Sequence, residues 1–258
     1  MQTNPYTKDL NRLEFMMTLA CTGRCRHCSE GEHSSSGEHI DGETAARAVR
    51  SLSAIRNIDS VMTFGGEPLL YPDAVCKIHA AARDCGIPKR QLITNGYFTK
   101  DFQKMRDTAA ELIWSGVTDI LLSADAFHQE TIPLSAVRSF AETVKSVKYN
   151  GISIRVHPAW LVSETAENPY NAKTREIIRS FAEMGVEASG GNVIFPDGNA
   201  LKYLKEYFDP NENYESPYTE DPGDIRSVCV SPDGSVLGGN INAADISEII
   251  ESYAPVGV

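Results

Sequence analysis

The sequence predicts an α/β fold in which a parallel sheet is wrapped by helices. Two observations carry this reading. Short apolar runs alternate with longer segments of helical period through most of the chain, the pattern expected of repeated β/α units. The unusual polar and glycine-bearing clusters also follow the apolar runs rather than precede them. In β/α barrels the carboxyl ends of the strands carry the active site. At 258 residues the chain is long enough for one large α/β domain with a substantial core.

Six units are read in order. A strand near 13–19 leads to a helix over 42–55, with Asp41 placed to cap it. A strand over 60–64 precedes a helix over 72–85, which Gly86 stops. A strand over 91–94 precedes a helix over 101–114 that ends at Gly116. The fourth unit pairs 119–123 with 133–147, and the fifth pairs 153–157 with 173–184, closed by Gly185. The sixth pairs 193–195 with 201–207. Six units predict a partial (β/α)6 barrel of the TIM type with its core over about 12–207. Residues 207–224, rich in Pro, Asn, Glu and Tyr, read as a loop. Segments 225–230 and 235–237 flank Pro232-Asp233-Gly234, whose turn chemistry predicts a hairpin. A last helix over 246–253 completes a short hairpin-plus-helix extension, and the expected organisation is a single domain over 1–258.

A net charge of −11 argues against a polyanionic partner such as nucleic acid. No run of about 18 consecutive apolar residues occurs, so no membrane span is expected. Residues 1–10 are polar and lack the apolar core of a signal peptide. A cytoplasmic location follows, where thiols stay reduced. The six cysteines are therefore not read as three disulfides.

Three of those cysteines, Cys21, Cys25 and Cys28, lie in one short loop after the first apolar run. A [4Fe–4S] cluster normally takes four thiolates. Three from one loop would leave one iron open to a substrate or cofactor. Zinc is the alternative, with His27, His33 or His39 as fourth ligand. Gly65 and Gly66 suit a place where backbone approaches a ligand closely. Glu67 offers an acceptor for an ammonium group, and Pro68 restricts Glu67 to extended geometry. An ordinary strand-to-helix turn uses the same residue types.

The spacing Cys21-x3-Cys25-x2-Cys28 resembles the cluster motif of the radical S-adenosylmethionine (radical SAM) enzymes. His27 stands at a position often aromatic in that family. Gly65-Gly66-Glu67-Pro68 resembles the segment that holds the methionine end of SAM, and Thr94-Asn95-Gly96 resembles the loop after the third barrel strand. The similarity runs over roughly 12–240. It implies a [4Fe–4S] cluster whose open iron chelates SAM, and reductive cleavage of SAM to a 5′-deoxyadenosyl radical that abstracts hydrogen from a substrate. It also implies an external electron donor of flavodoxin or ferredoxin type.

With that resemblance in place, Ser123 and Asp125 become candidates for the ribose hydroxyls of SAM. Asn95 is a candidate for SAM or substrate, and Arg155 for the SAM carboxylate. His128 and His157 lie near strand ends, where they could orient substrate or move a proton. Cys229 is the candidate catalytic residue, since a lone cysteine quenches a substrate radical in some peptide epimerases of the family. A buried small hydrophobe is the other reading of the same residue. Beyond Cys85 only Cys229 remains, so these residues cannot assemble an auxiliary cluster of the kind many peptide-modifying members carry. The expected substrate is a peptide or protein side chain, with small-molecule or cofactor biosynthesis as the alternative. A non-catalytic iron–sulfur or zinc protein is the reading from a different class.

Overall fold

The computed structural model describes residues 3–32, 37–147, 152–212, 214, 216 and 218–255. Strand β1 (Arg12–Met16) shows how the sheet is built. Its Leu13 and Phe15 are fully buried toward the helices, while Arg12, Glu14 and Met16 look to the opposite face. Strands β2 (Ser60–Phe64), β3 (Lys89–Thr94), β4 (Asp119–Leu122) and β5 (Ser153–Val156) follow as parallel neighbours, each in register with the one before. The helices between them are α1 (Gly42–Ser53), α2 (Pro72–Asp84), α3 (Phe102–Ser115) and α4 (Leu134–Ser146). They lie over the buried face and close one continuous core around Leu13, Phe15, Leu92, Ile120 and Phe140.

Local chemistry sets the helix ends. Asp41 accepts the Thr44 N–H at 2.8 Å and starts α1. Asp101 accepts from Gln103 and Lys104 at the start of α3, and Gly116 stops it with φ 92°. After β5 come β6 (Ala159–Trp160), α5 (Pro169–Ala182), β7 (Asn192–Val193) and α6 (Gly198–Tyr203). Helix α5 starts one turn earlier than expected because Asn168 accepts the Asn171 N–H. Helix α6 likewise starts earlier, at the Asp197 cap.

Two expectations are corrected. The sixth strand does not begin at 193: residues 187–189 already exchange backbone hydrogen bonds with Val156 at the end of β5, and the segment runs on beside the sheet into β7. Here β7 pairs with β6 in a two-stranded ladder, and both its residues are exposed. The vacant place beside β1 is taken by β8 (Ser227–Val230), giving the order β5-β4-β3-β2-β1-β8. Its register sets Arg12 beside Ser227 and Glu14 beside Cys229. The first arm of the expected hairpin is thus a sheet strand, because Val228 and Val230 alternate into the common core. The hairpin is instead β9 (Ser235–Val236) with β10 (Gly239–Asn240), followed by α7 (Ile246–Ser252). Strands β5 and β8 end the main sheet and do not pair with each other among the described residues, so the barrel is open on one side. No helix among the described residues is long and apolar enough to cross a membrane.

Candidate active site

The cysteine loop leaves the carboxyl end of β1 and runs against the loop that leaves β2. Thr18 C=O accepts the Gly66 N–H at 2.7 Å, and Ala20 C=O accepts the Glu67 N–H at 2.8 Å. This contact explains the glycines. A Cβ on Gly66 would lie 2.2 Å from Ala20 O, and one on Gly65 (φ 139°) would lie 2.7 Å from Thr18 O. The close approach is therefore to the neighbouring loop, and both glycines still form part of the cavity wall.

One cavity brings the three thiols together with His27, Gly65, Gly66, Asn95 and Ser123. Ile93, Thr94 and His128 complete its wall. The Cys21 Sγ accepts the Gly23 N–H at 3.3 Å and faces the Asn95 amide at 3.6 Å. Asn95 also donates to Thr22 Oγ1 at 3.0 Å, so it holds the cysteine loop in place. Ser123 makes no side-chain hydrogen bond among the described residues, which leaves its hydroxyl available to the cavity. Burial pushes all three thiols up, Cys21 to about 11. Burial also drives His27 down to about 3, and its Nδ1 is buried with no partner among the described residues.

Asn199, which no sequence motif marks, supports the loop from below together with Gly198. The Asn199 N–H donates to Cys28 C=O at 2.9 Å, and its side chain donates to Cys25 C=O at 3.1 Å. Gly198 has φ 49°, and a Cβ there would lie 2.2 Å from Ser29 O. Nothing local in the sequence shows that α6 begins under the cysteines.

Three expected contacts are corrected. Glu67 is fully buried and turned away from the cavity. Its carboxylate accepts Leu69 N–H at 2.9 Å, Thr94 Oγ1–H at 2.6 Å and Asn95 N–H at 2.8 Å. Burial pushes it up to about 7 against those three donors. It ties the β2 loop to the β3 loop rather than meeting an ammonium group, while Pro68 opens the buried turn Pro68–Leu70.

Asp125 is also fully buried. Its Oδ1 accepts the Phe127 and His128 N–H groups, and its Oδ2 accepts His128 Nδ1–H at 2.7 Å and Ala159 N–H at 2.9 Å. No acceptor capacity is left for ribose hydroxyls. Burial alone would raise this carboxyl, but His128 beside it holds it below the usual range. Donor atoms of His27, Asp125 and His128 lie within 4.8 Å of one another, with the carboxylate acting as a hydrogen-bond hub. Arg155 faces Asp119 at 3.0 Å and lies outside the cavity wall, because its side chain points down the sheet toward the start of β4.

Cys229 sits on β8 next to Glu14, on the face opposite the helices, and is exposed there. Partial loss of water around the sulfur, and then the nearby Glu14, raise the thiol to about 12, so it keeps its proton. His157 Nδ1 is paired with Ser189 Oγ at 2.8 Å. As for a fourth zinc ligand, His39 stacks on Tyr71 away from the cavity, and His33 lies outside the described residues.

The radical SAM superfamily profile matches residues 15–157, more than half of the chain. The chain belongs to the radical SAM superfamily. Members of that family are enzymes whose cofactors are a [4Fe–4S] cluster and SAM. Sequence relatives include GTP 3′,8-cyclase of Synechococcus elongatus, 26% identical over an alignment of 160 residues that covers 58% of this chain and 45% of that protein. GTP 3′,8-cyclase of Aeromonas hydrophila is 28% identical over 165 residues, covering 55% of this chain and 45% of that one. The chain thus spans about half the length of these relatives.

Among solved structures, anSMEcpe with bound AdoMet aligns with TM-score 0.58 at 17% identity, over 94% of this chain and 80% of that one. Streptococcus suis SuiB bound to precursor peptide SuiA aligns with TM-score 0.56 at 12% identity, over 95% and 65%. These likenesses concern the fold. The residues present fit the family's cofactors. The cavity wall offers three thiols and two imidazoles and no carboxylate, those of Glu67 and Asp125 being turned into the protein. Such a donor set suits iron–sulfur chemistry rather than a hard cation.

Proposed function

We propose that Cys21, Cys25 and Cys28 hold the [4Fe–4S] cluster and that the substrate is a peptide or protein side chain. When bound, the cluster supplies the electron that splits SAM and yields the 5′-deoxyadenosyl radical. The chain's residues organise the space around it. Gly65 and Gly66 form the wall for the methionine end of SAM, with Pro68 fixing their turn. Asn95 donates a hydrogen bond toward the Cys21 sulfur, the kind of contact that adjusts a cluster's potential. His27, neutral through burial, packs at 5.1 Å from Phe127 and shields one side from water. Ser123 is the remaining candidate for the ribose. Cys229, protonated on the open face of the sheet, is the candidate hydrogen donor to a substrate radical.

The observation that carries this reading is the convergence of three thiols, Gly65, Gly66 and Ser123 on one cavity at the carboxyl ends of the strands. The reading also takes residues 1–258 as one radical SAM domain in the cytoplasm, served by a flavodoxin or ferredoxin type donor. Anaerobic reconstitution tests it. Wild-type protein should bind iron and sulfide and form 5′-deoxyadenosine from SAM and dithionite. Each of Cys21→Ala, Cys25→Ala and Cys28→Ala should lose the cluster, and an intact cluster in all three would refute the assignment. Cys229→Ala should still cleave SAM but change the fate of the substrate; an unchanged product would return Cys229 to packing.

A small-molecule substrate is the second reading, supported by the GTP 3′,8-cyclases among the sequence relatives. GTP-dependent consumption of SAM by the reconstituted enzyme would favour it.

A further inference from the structure

The open side of the barrel has a usable edge. Ala188 bridges Val156 in parallel, and the chain runs on from there into β7, which pairs with β6. Residues 188–193 therefore line the outer side of the sheet beyond β5. Asn192 N–H donates to Pro158 C=O and Ile194 N–H to Trp160 C=O, both at 2.9 Å. Amide direction alternates along a strand, so Val193 turns its N–H and C=O the other way, into the gap before β8. Neither group has a hydrogen-bond partner among the described residues, nor has the Phe195 N–H. Tyr218 stands beside this edge. Its hydroxyl accepts from Asn192 Nδ2 at 2.9 Å, and its ring meets Phe195 at 5.7 Å. From the other wall of the gap, Glu14 raises the Tyr218 hydroxyl, second to burial.

Two further facts give this edge a direction and a preferred occupant. Six residues beyond Val193, Asn199 binds the carbonyls of Cys25 and Cys28, so a strand laid along Val193 runs toward the cysteine loop. The strap that follows α6 at 207–224 carries Asp209, Glu212, Glu215, Glu220, Asp221 and Asp224 in its sequence, with no Lys or Arg. The next cation, Arg226, is already paired with Asp224. We propose that the outer edge of β7 receives an extended, Lys- or Arg-bearing peptide as an added strand beside the acidic strap. This deepens, and rests on, the peptide reading given above. Main-chain pairing would supply affinity without demanding a sequence, and the strap would select charge.

The test uses anaerobically reconstituted enzyme with SAM and two fluorescein-labelled probes, a short alternating Lys-Val peptide and its Glu-Val counterpart. Fluorescence anisotropy should show binding of the Lys-Val probe and none of the Glu-Val probe. Val193→Pro removes the outward N–H at a position where an edge strand tolerates proline, and should weaken binding about tenfold or more. Val193→Ala keeps the amide and should stay within about threefold. Asp209→Asn with Asp221→Asn should weaken binding by about threefold whether or not the proline variant folds. Equal binding of both probes, equal effects of Pro and Ala, or an unmoved double Asn variant would each overturn the proposal. Wild-type SAM cleavage without peptide is read in the same samples. Its loss would overturn the radical SAM assignment of the site, whereas cleavage without Lys-Val binding would overturn the edge alone.

Discussion

Asp125 illustrates how a residue chosen for ligand binding can be spent inside the protein. Its two oxygens meet four donors, so the group orders the turn that carries His128 to the cavity. Asp125→Asn should lower stability by about 2–4 kcal/mol in urea unfolding, since it leaves buried donors unmatched. Unchanged stability with lost SAM binding would restore the ribose role. Glycines can be sorted in the same way. Gly66→Ala sets a Cβ against the Ala20 carbonyl and should cost more than about 3 kcal/mol. Gly86→Ala meets nothing within 4 Å and should cost only about 1 kcal/mol, for its left-handed backbone. Comparison of urea midpoints of the two variants checks the difference. The sequence marks Gly65, Gly66 and the cysteines plainly, because their chemistry is local. It does not reveal the inward turn of Glu67 and Asp125, since their donors come from Thr94, Asn95 and Ala159 on other strands or loops.

At the scale of elements, α2 is tied to β2 by a buried imidazole. His79 Nε2 meets Thr63 Oγ1 at 2.9 Å, and burial lowers its pKa to about 3. The unfolded chain takes up a proton near the ordinary value of about 6.5, while the folded chain refuses it until far lower pH. The stability this group supplies is therefore present above about 6.5 and is lost as pH falls toward 3. Between pH 7 and 5 the loss from this one group is about 2 kcal/mol. Urea unfolding at both pH values should show wild type losing that much more than His79→Gln; equal losses would remove His79 as the cause. The cap at Asp41 and the stop at Gly116 were legible from residue type. The partner of β8 was not, because an apolar run next to a turn signal reads equally well as a hairpin arm or a sheet strand.

The whole molecule is closed by contacts between its two ends. Asn4 Nδ2 donates to the carbonyls of Ile250, Glu251 and Tyr253, capping the end of α7. Arg56 pairs with Glu251 at 2.7 Å and donates to Thr7 C=O at 2.9 Å, with its side chain almost fully buried. Ser51 on α1 donates to Asp245 at the start of α7. These links keep β8 seated beside β1, and so keep Cys229 next to Glu14. Arg56→Ala should lower stability by about 2–4 kcal/mol, because Glu251 loses its partner. Proteolysis within the 207–224 strap should quicken in parallel. A variant as stable and as resistant as wild type would show that the two ends are not coupled.

By itself the sequence determined what neighbouring residues decide together: the order of strands and helices, their caps and stops, and three thiols on one loop. Only the tertiary structure decided that β8 joins the sheet beside β1, that Asn199 supports the cysteine loop, and that Glu67 and Asp125 face inward. Those outcomes join groups far apart in the chain. They depend on register, on shared burial and on which donor reaches which acceptor, quantities that no local pattern encodes.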